Sequence, residues 1–199
     1  MAQSATKRSV GRPREFDEEA ALECAMDAFW QKGYEATSLA DLCTCTGLHK
    51  GSLYQAFGDK HALFMRALKH YSDTEFKESA AVILQHESPL ESIRALVREV
   101  CDTAAEGKGC MMINSMVELA PHDPEVKKAI EHEGQRRMRV VTDLLTRAQQ
   151  LGEIRADLVP ERLAQQLMIG LAGSAAMVKG LITTDQVLEI LDDLIDYWV

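Results

Sequence analysis

The chain has 199 residues, 46% of them hydrophobic, which is enough for one or two domains with a real core and excludes an unfolded chain. Its net charge of −9 argues against a uniformly basic nucleic-acid binder, but the charge is unevenly spread. Residues 1–14 carry Lys7, Arg8, Arg12 and Arg14 and no acid, whereas the acidic excess lies in residues 71–199, the asymmetry expected of a protein that touches DNA at one end.

Residues 1–14 read as a disordered basic arm. Asp17 is the expected N-cap of a first helix to about Lys32, with Ala21, Leu22, Ala25, Met26, Ala28 and Phe29 facing inward and Gly33 stopping it. Thr37 and Ser38 are N-cap types, with Asp41 in the first turn of the helix that follows. Leu39, Leu42 and either Cys43 or Thr46 share one face of that helix, and Gly47 ends it. A short helix then runs from about His49 or Lys50 to Ala56, with Leu53 and Phe57 inward. His49, Lys50, Ser52, Tyr54 and Gln55 are left outside, a face of hydrogen-bonding groups with one firm positive charge that fits a major groove. Asp59 is an N-cap candidate for a fourth helix to about Gln85. Lys60, in its first turn, opposes the helix dipole, a conflict explained if Lys60 and the free N–H groups bind a DNA phosphate.

The remaining helices are expected at Pro89 to about Ala105, Cys110 to Leu119, Pro124 to Leu151, Pro160 to near Lys179, and from a Thr184 cap to the C-terminus. The stretch Glu131 to Arg139 is charged and expected to be solvated. Gly170, Ala172, Gly173 and Ala175 would let another helix approach closely. The longest apolar run, Leu167 to Val178, is shorter than the roughly 20 residues a bilayer requires. Five cysteines without framework spacing and a polar N-terminus suggest a reducing cytoplasm.

The run T-S-L-x-D-L, then G-L-x-K-G-S-L-Y-x-x-F, then D-K-x-x-L-F, resembles the DNA-binding domain of the TetR family of transcriptional regulators. The likeness covers about Phe16 to Leu68, with Cys43 and Cys45 where the family usually has alanine. Gly11-Arg12-Pro13-Arg14 resembles the segment that precedes helix one in many such regulators. The resemblance implies an all-α fold in two parts: a three-helix helix-turn-helix domain over residues 15–68 and a helical ligand-binding and dimerisation domain over 69–199. It also implies a cytoplasmic homodimer on a double-stranded DNA operator, released by a small-molecule effector, with no membrane partner, no cofactor and no enzymatic activity.

The expected DNA contacts are Arg12 and Arg14 in the minor groove; Thr37, Tyr54 and Lys60 on phosphates; Lys50, Ser52 and Gln55 on base edges; and Ser38, His49 and Gly51 beside them. The expected effector pocket is lined by Val100, Cys110, Ile113, Asn114, Val117, Leu167 and Leu171. The block from Gly109 to Pro124 resembles a sub-branch that responds to electrophiles, oxidants or copper. Cys110, at a helix N-terminus near Lys108, is therefore a candidate redox thiol with Cys101 as a possible disulfide partner, which offers a thiol-sensing alternative. No CxxC or HxxxH pair supports a metal site. A cysteine-dependent enzyme using Cys110 and His122 lacks an acid or an oxyanion motif and is the remote alternative.

Overall fold

The computed structural model describes residues 17–105 and 109–199. Arg12, Arg14 and Lys108, to which the sequence assigns roles, lie outside them. Among the described residues the chain forms nine helices and no strand: α1 (Glu18–Lys32), α2 (Leu39–Thr46), α3 (Lys50–Phe57), α4 (Lys60–Ile83), α5 (Pro89–Ala105), α6 (Met111–Glu118), α7 (Pro124–Gln150), α8 (Pro160–Met177) and α9 (Thr184–Asp196). The fold is all-α, as the composition and resemblance imply.

Local chemistry sets most of the boundaries. Asp17 caps α1 by accepting from the backbone N–H groups of Glu19 and Ala20, and Asp59 and Asp123 cap α4 and α7 in the same way. Ser38 and Asp41 form a reciprocal capping box at the start of α2, and Gly47 ends it in the left-handed conformation. One cap lies a residue earlier than expected. Thr183, not Thr184, caps α9, because it is Thr183 that stands three residues before Gln186 and closes a capping box with it.

The buried apolar residues form two clusters. The first gathers Phe29, Trp30, Leu42, Leu53, Phe57, Phe64 and Tyr71 from α1–α4, and continues without a break into Met111 and Met112 of α6, Leu119 at its C-cap, and Val126 and Ile130 of α7. The second is built by α5, α7, α8 and α9 around Ile93, Val97, Leu145, Leu167, Ile195 and Trp198. Gly170 belongs to this packing: a Cβ there would lie 2.9 Å from Leu191, so the glycine lets α9 lie close against α8.

Hydrogen bonds join the N-terminal helices to α6 and its flanks. The Glu118 carboxylate accepts from the backbone N–H groups of Tyr34 and Glu35, at 3.0 and 2.8 Å. Gly33 makes room for it, since a Cβ there would lie 2.9 Å from Glu118 Oε2. The Trp30 indole donates to the Gly109 carbonyl at 2.8 Å. His61 meets Asp123 at 2.7 Å, linking the first turn of α4 to the cap of α7.

Candidate nucleic-acid interface and effector cavity

Two regions carry chemistry beyond packing. The first is the outer face of α3. Leu53 and Phe57 are buried and anchor the helix, so the 3.6-residue period turns the intervening residues outward. His49, Lys50, Gly51, Ser52, Tyr54 and Gln55 are all exposed. The Lys50 ammonium lies 5.6 Å from the centre of the Tyr54 ring, which holds the cation above the helix surface. Lys60 is placed over the ring of Tyr34 at 4.3 Å. Ser38 is exposed at the start of α2, with its hydroxyl engaged in the capping box. Nothing within the chain lies within 4 Å of a Cβ added at Gly51. Glycine inside a helix costs about 1 kcal/mol relative to alanine, and internal packing gives no reason for it here.

Thr37 departs from the expected phosphate contact. It is fully buried, and its hydroxyl is directed at the Gly33 and Ala28 carbonyls, at 2.6 and 3.3 Å. Its role is to fold the α1–α2 turn, because a hydroxyl spent inside the domain is not presented to DNA.

The second region is a cavity of about 200 Å³ between α4, α5, α6, α7 and α8. Val100, Cys110, Ile113, Leu167 and Leu171 line it as expected, with Phe76, Ile93, Met112 and Met168 among its further apolar walls. Val117 does not line it: the cavity side of α6 is set by Met112, Ile113 and Met116, and Val117 lies past the rim, 75% exposed. Asn114 is also outside, its amide oxygen accepting from Lys179 at 2.8 Å.

The largest departure concerns α7. Its stretch Glu131–Arg139, expected to be solvated, sends Glu133, Gly134 and Arg137 into the cavity wall. The sequence did hold a signal for this. The buried stripe of α7 runs Val126, Ile130, Val141, Leu144, Leu145 and Ala148, and the same helical register passes through Glu133 and Arg137. Charged residues in an inward register are candidates for ligand contacts.

All five cysteines are free thiols. Cys110 is the half-buried N-cap of α6 and accepts a long bond from the Tyr71 hydroxyl at 3.7 Å. Burial raises the Tyr71 pKa, so the phenol keeps its proton. Cys101 packs in the other core, and burial pushes its thiol up to about 11. The structure therefore seats the two candidate redox thiols in different packing environments. Among the described residues no group of three His, Cys, Asp or Glu side chains could hold a metal ion. No helix among them is long and apolar enough to cross a membrane.

Burial also raises the Glu75 carboxyl on the cavity wall, with Glu78 and Glu99 adding to the shift and Arg137 opposing it. A carboxyl whose folded-state value is raised contributes its stability below its ordinary value of 4.5, and that contribution is lost as pH rises through the raised value. Glu75→Gln is therefore expected to raise the melting temperature at pH 8 and to leave it nearly unchanged at pH 4.5. A thermal melt at each pH measures both.

Comparison with known proteins agrees with this geometry in both halves of the chain. Residues 21–67 match the family described as bacterial regulatory proteins, tetR family, and residues 89–191 match the tetracyclin repressor-like C-terminal domain. The chain belongs to the TetR family of transcriptional regulators. The HTH-type transcriptional repressor ComR of Escherichia coli is 32% identical over 96% of this chain and 93% of its own length. The HTH-type regulator YezE of Bacillus subtilis is 34% identical over 74% of this chain and 78% of its own. Among solved structures, a cysteine mutant of the TetR-family regulator CifR, complexed with a 26-bp operator DNA, superposes with a TM-score of 0.84 at 30% identity. That match covers 95% of this chain and all of CifR. The helix-turn-helix formed by α2 and α3 lies within the matched N-terminal segment.

Proposed function

We propose that this chain is a repressor that binds a palindromic operator as a homodimer through α3, and is released when a small, largely apolar effector occupies the cavity. The exposed polar face of α3, held rigid by Leu53 and Phe57, is the observation that carries the reading. CifR bound to operator DNA and ComR as a repressor support it by likeness. Dimerisation is supported by the outer side of α8 and the turn after it, where Ile169, Met177 and Leu181 are exposed beside Gly173. A Cβ at Gly173 would meet nothing within 4 Å in its own chain, which leaves room for a second helix. Two recognition helices about 34–36 Å apart would reach successive major grooves.

The α3 surface separates positioning from reading. Lys60→Ala is expected to weaken binding to every sequence and to flatten the salt dependence by about one ion. Gln55→Ala is expected to relax preference at one base position, at a cost of roughly 1–3 kcal/mol. Gly51→Ala is expected to raise stability by about 0.5–1 kcal/mol and yet weaken operator binding, because the added methyl stands where DNA approaches. Fluorescence anisotropy on the promoter fragment upstream of the gene, read against salt, measures the three binding changes, and a denaturant melt measures the stability of Gly51→Ala. A salt slope unchanged by Lys60→Ala removes the phosphate contact.

A narrower response to electrophiles, oxidants or copper through Cys110 ranks below the reversible effector. The Tyr71 hydroxyl sits on this sulfur, and Cys101 packs elsewhere. Cys110→Ser is expected to leave DNA release by hypochlorite or a quinone unchanged. Release lost only in the variant, with its initial operator affinity intact, would reverse the ranking.

A further inference from the structure

The cavity is apolar except where α4 and α7 face one another, and the charged groups there are unequally satisfied. Glu133 accepts from the Ser72 hydroxyl at 2.9 Å and lies 3.4 Å from Arg136 Nη1. Arg136 turns aside to stack on Phe76 at 3.4 Å and to approach Asp73 at 3.7 Å. Arg137 is different. Its Nη2 is buried and has no hydrogen-bond partner, although its charge acts on the Glu75 and Glu99 carboxyls. Glu99 Oε2 is likewise buried without a partner. Buried guanidinium N–H groups without an acceptor are rare in folded proteins, because the lost hydration is not replaced. An acceptor supplied from outside the chain resolves this.

We propose that the effector is a small amphipathic carboxylate, whose hydrocarbon part fills the cavity and whose carboxylate is held by Arg137. A guanidinium offers a planar pair of N–H donors that matches a carboxylate, and the low-dielectric walls strengthen the bond. The opposite assignment, a hydrophobic cation held by the acids, fits less well. Glu133 is already engaged by Ser72 and Arg136, and a cation would have to sit beside Arg137. Burial raises the Glu75 carboxyl on the cavity wall, which weakens its repulsion of an incoming carboxylate. The volume suits a medium-length chain or a single ring.

This inference rests on the cavity being the effector site, and the test separates the two. The probes are straight-chain carboxylates from butanoate to decanoate, octanamide and octylamine, titrated calorimetrically into the full-length protein, Arg137→Met and Leu171→Trp. At least one carboxylate is expected to bind saturably and to lose about ten- to a hundred-fold in affinity in Arg137→Met. Octanamide should change less than threefold. Leu171→Trp, which fills the cavity, should abolish binding. Arg137→Met should also melt higher than the unliganded parent, because it removes a half-buried guanidinium whose Nη2 has no acceptor, whereas an arginine with a merely structural role would lower the melt on removal. No saturable binding by any carboxylate, equal binding in Arg137→Met, or tighter binding of octylamine overturns the proposal. A carboxylate that binds in the cavity without reducing operator occupancy leaves the ligand class standing and removes the cavity as the effector site.

Discussion

Glu118→Ala is expected to lower the melting temperature and to disconnect the cavity from the DNA-binding helices. The carboxylate accepts two backbone N–H groups of the α1–α2 turn, and the side chain belongs to α6, a wall of the cavity. Hydrogen bonds to a charged acceptor are worth about 1.5–3 kcal/mol each, and the half-buried setting here favours the lower end for the pair. A loss of about 3 kcal/mol corresponds to roughly 6–12 °C in a chain of this size. The functional effect follows from where the contact lies. An effector alters operator affinity only if the cavity and the DNA face report to one another through structure that differs between two states. With Glu118 removed, the fold-drop in operator affinity caused by effector should shrink toward one, while binding in the cavity persists. Anisotropy and calorimetry on the same variant separate the two quantities. An undiminished effector response would place the coupling wholly in α4.

Gly109→Ala is expected to cost about 2–4 kcal/mol, a larger effect than any exposed substitution in the chain. Gly109 has φ +66°, which side-chain-bearing residues adopt at a penalty of about 1–2 kcal/mol. The space is also taken: an added Cβ would lie 3.0 Å from the Ala175 carbonyl oxygen and 2.8 Å from Lys179 Cε. The lysine can move, but the α8 backbone cannot move without disturbing the cavity wall. Shifting Gly109 would also loosen its bond from the Trp30 indole, adding roughly 1 kcal/mol. The loss should appear in denaturant midpoints and in increased exchange of amides in α1. A change under 1 kcal/mol would show that the turn relaxes freely.

The two cases mark what could be read in advance and what could not. Helix ends were legible because their causes are local. Asp17, Ser38 with Asp41, Gly47, Asp59 and Asp123 sit within a few residues of the groups they satisfy. The outward face of α3 was legible for the same reason, since burying Leu53 and Phe57 dictates which side of α3 faces out. Thr37 misled because a threonine at a helix start resembles a cap, whereas its hydroxyl folds back to Gly33 and Ala28. Glu118 and Gly109 depend on partners far away in the chain, which periodicity does not report. Composition made Glu131–Arg139 look like a solvated face, but register, the stronger constraint, put Arg137 on the inner side.

The shortness of α6 has an evolutionary consequence. Eight residues span about 12 Å, and the segment is pinned at one end by Gly109 and at the other by Glu118. One inserted residue would turn Glu118 by about 100° away from its two N–H donors, so the helix tolerates almost no change in length. Its inward side chains carry no such restriction. Ile113 and Met116 can be exchanged for larger or smaller residues without touching either anchor. Descendants of this chain can thus acquire new chemical signals by point substitution along α6 while inheriting the linkage to DNA intact.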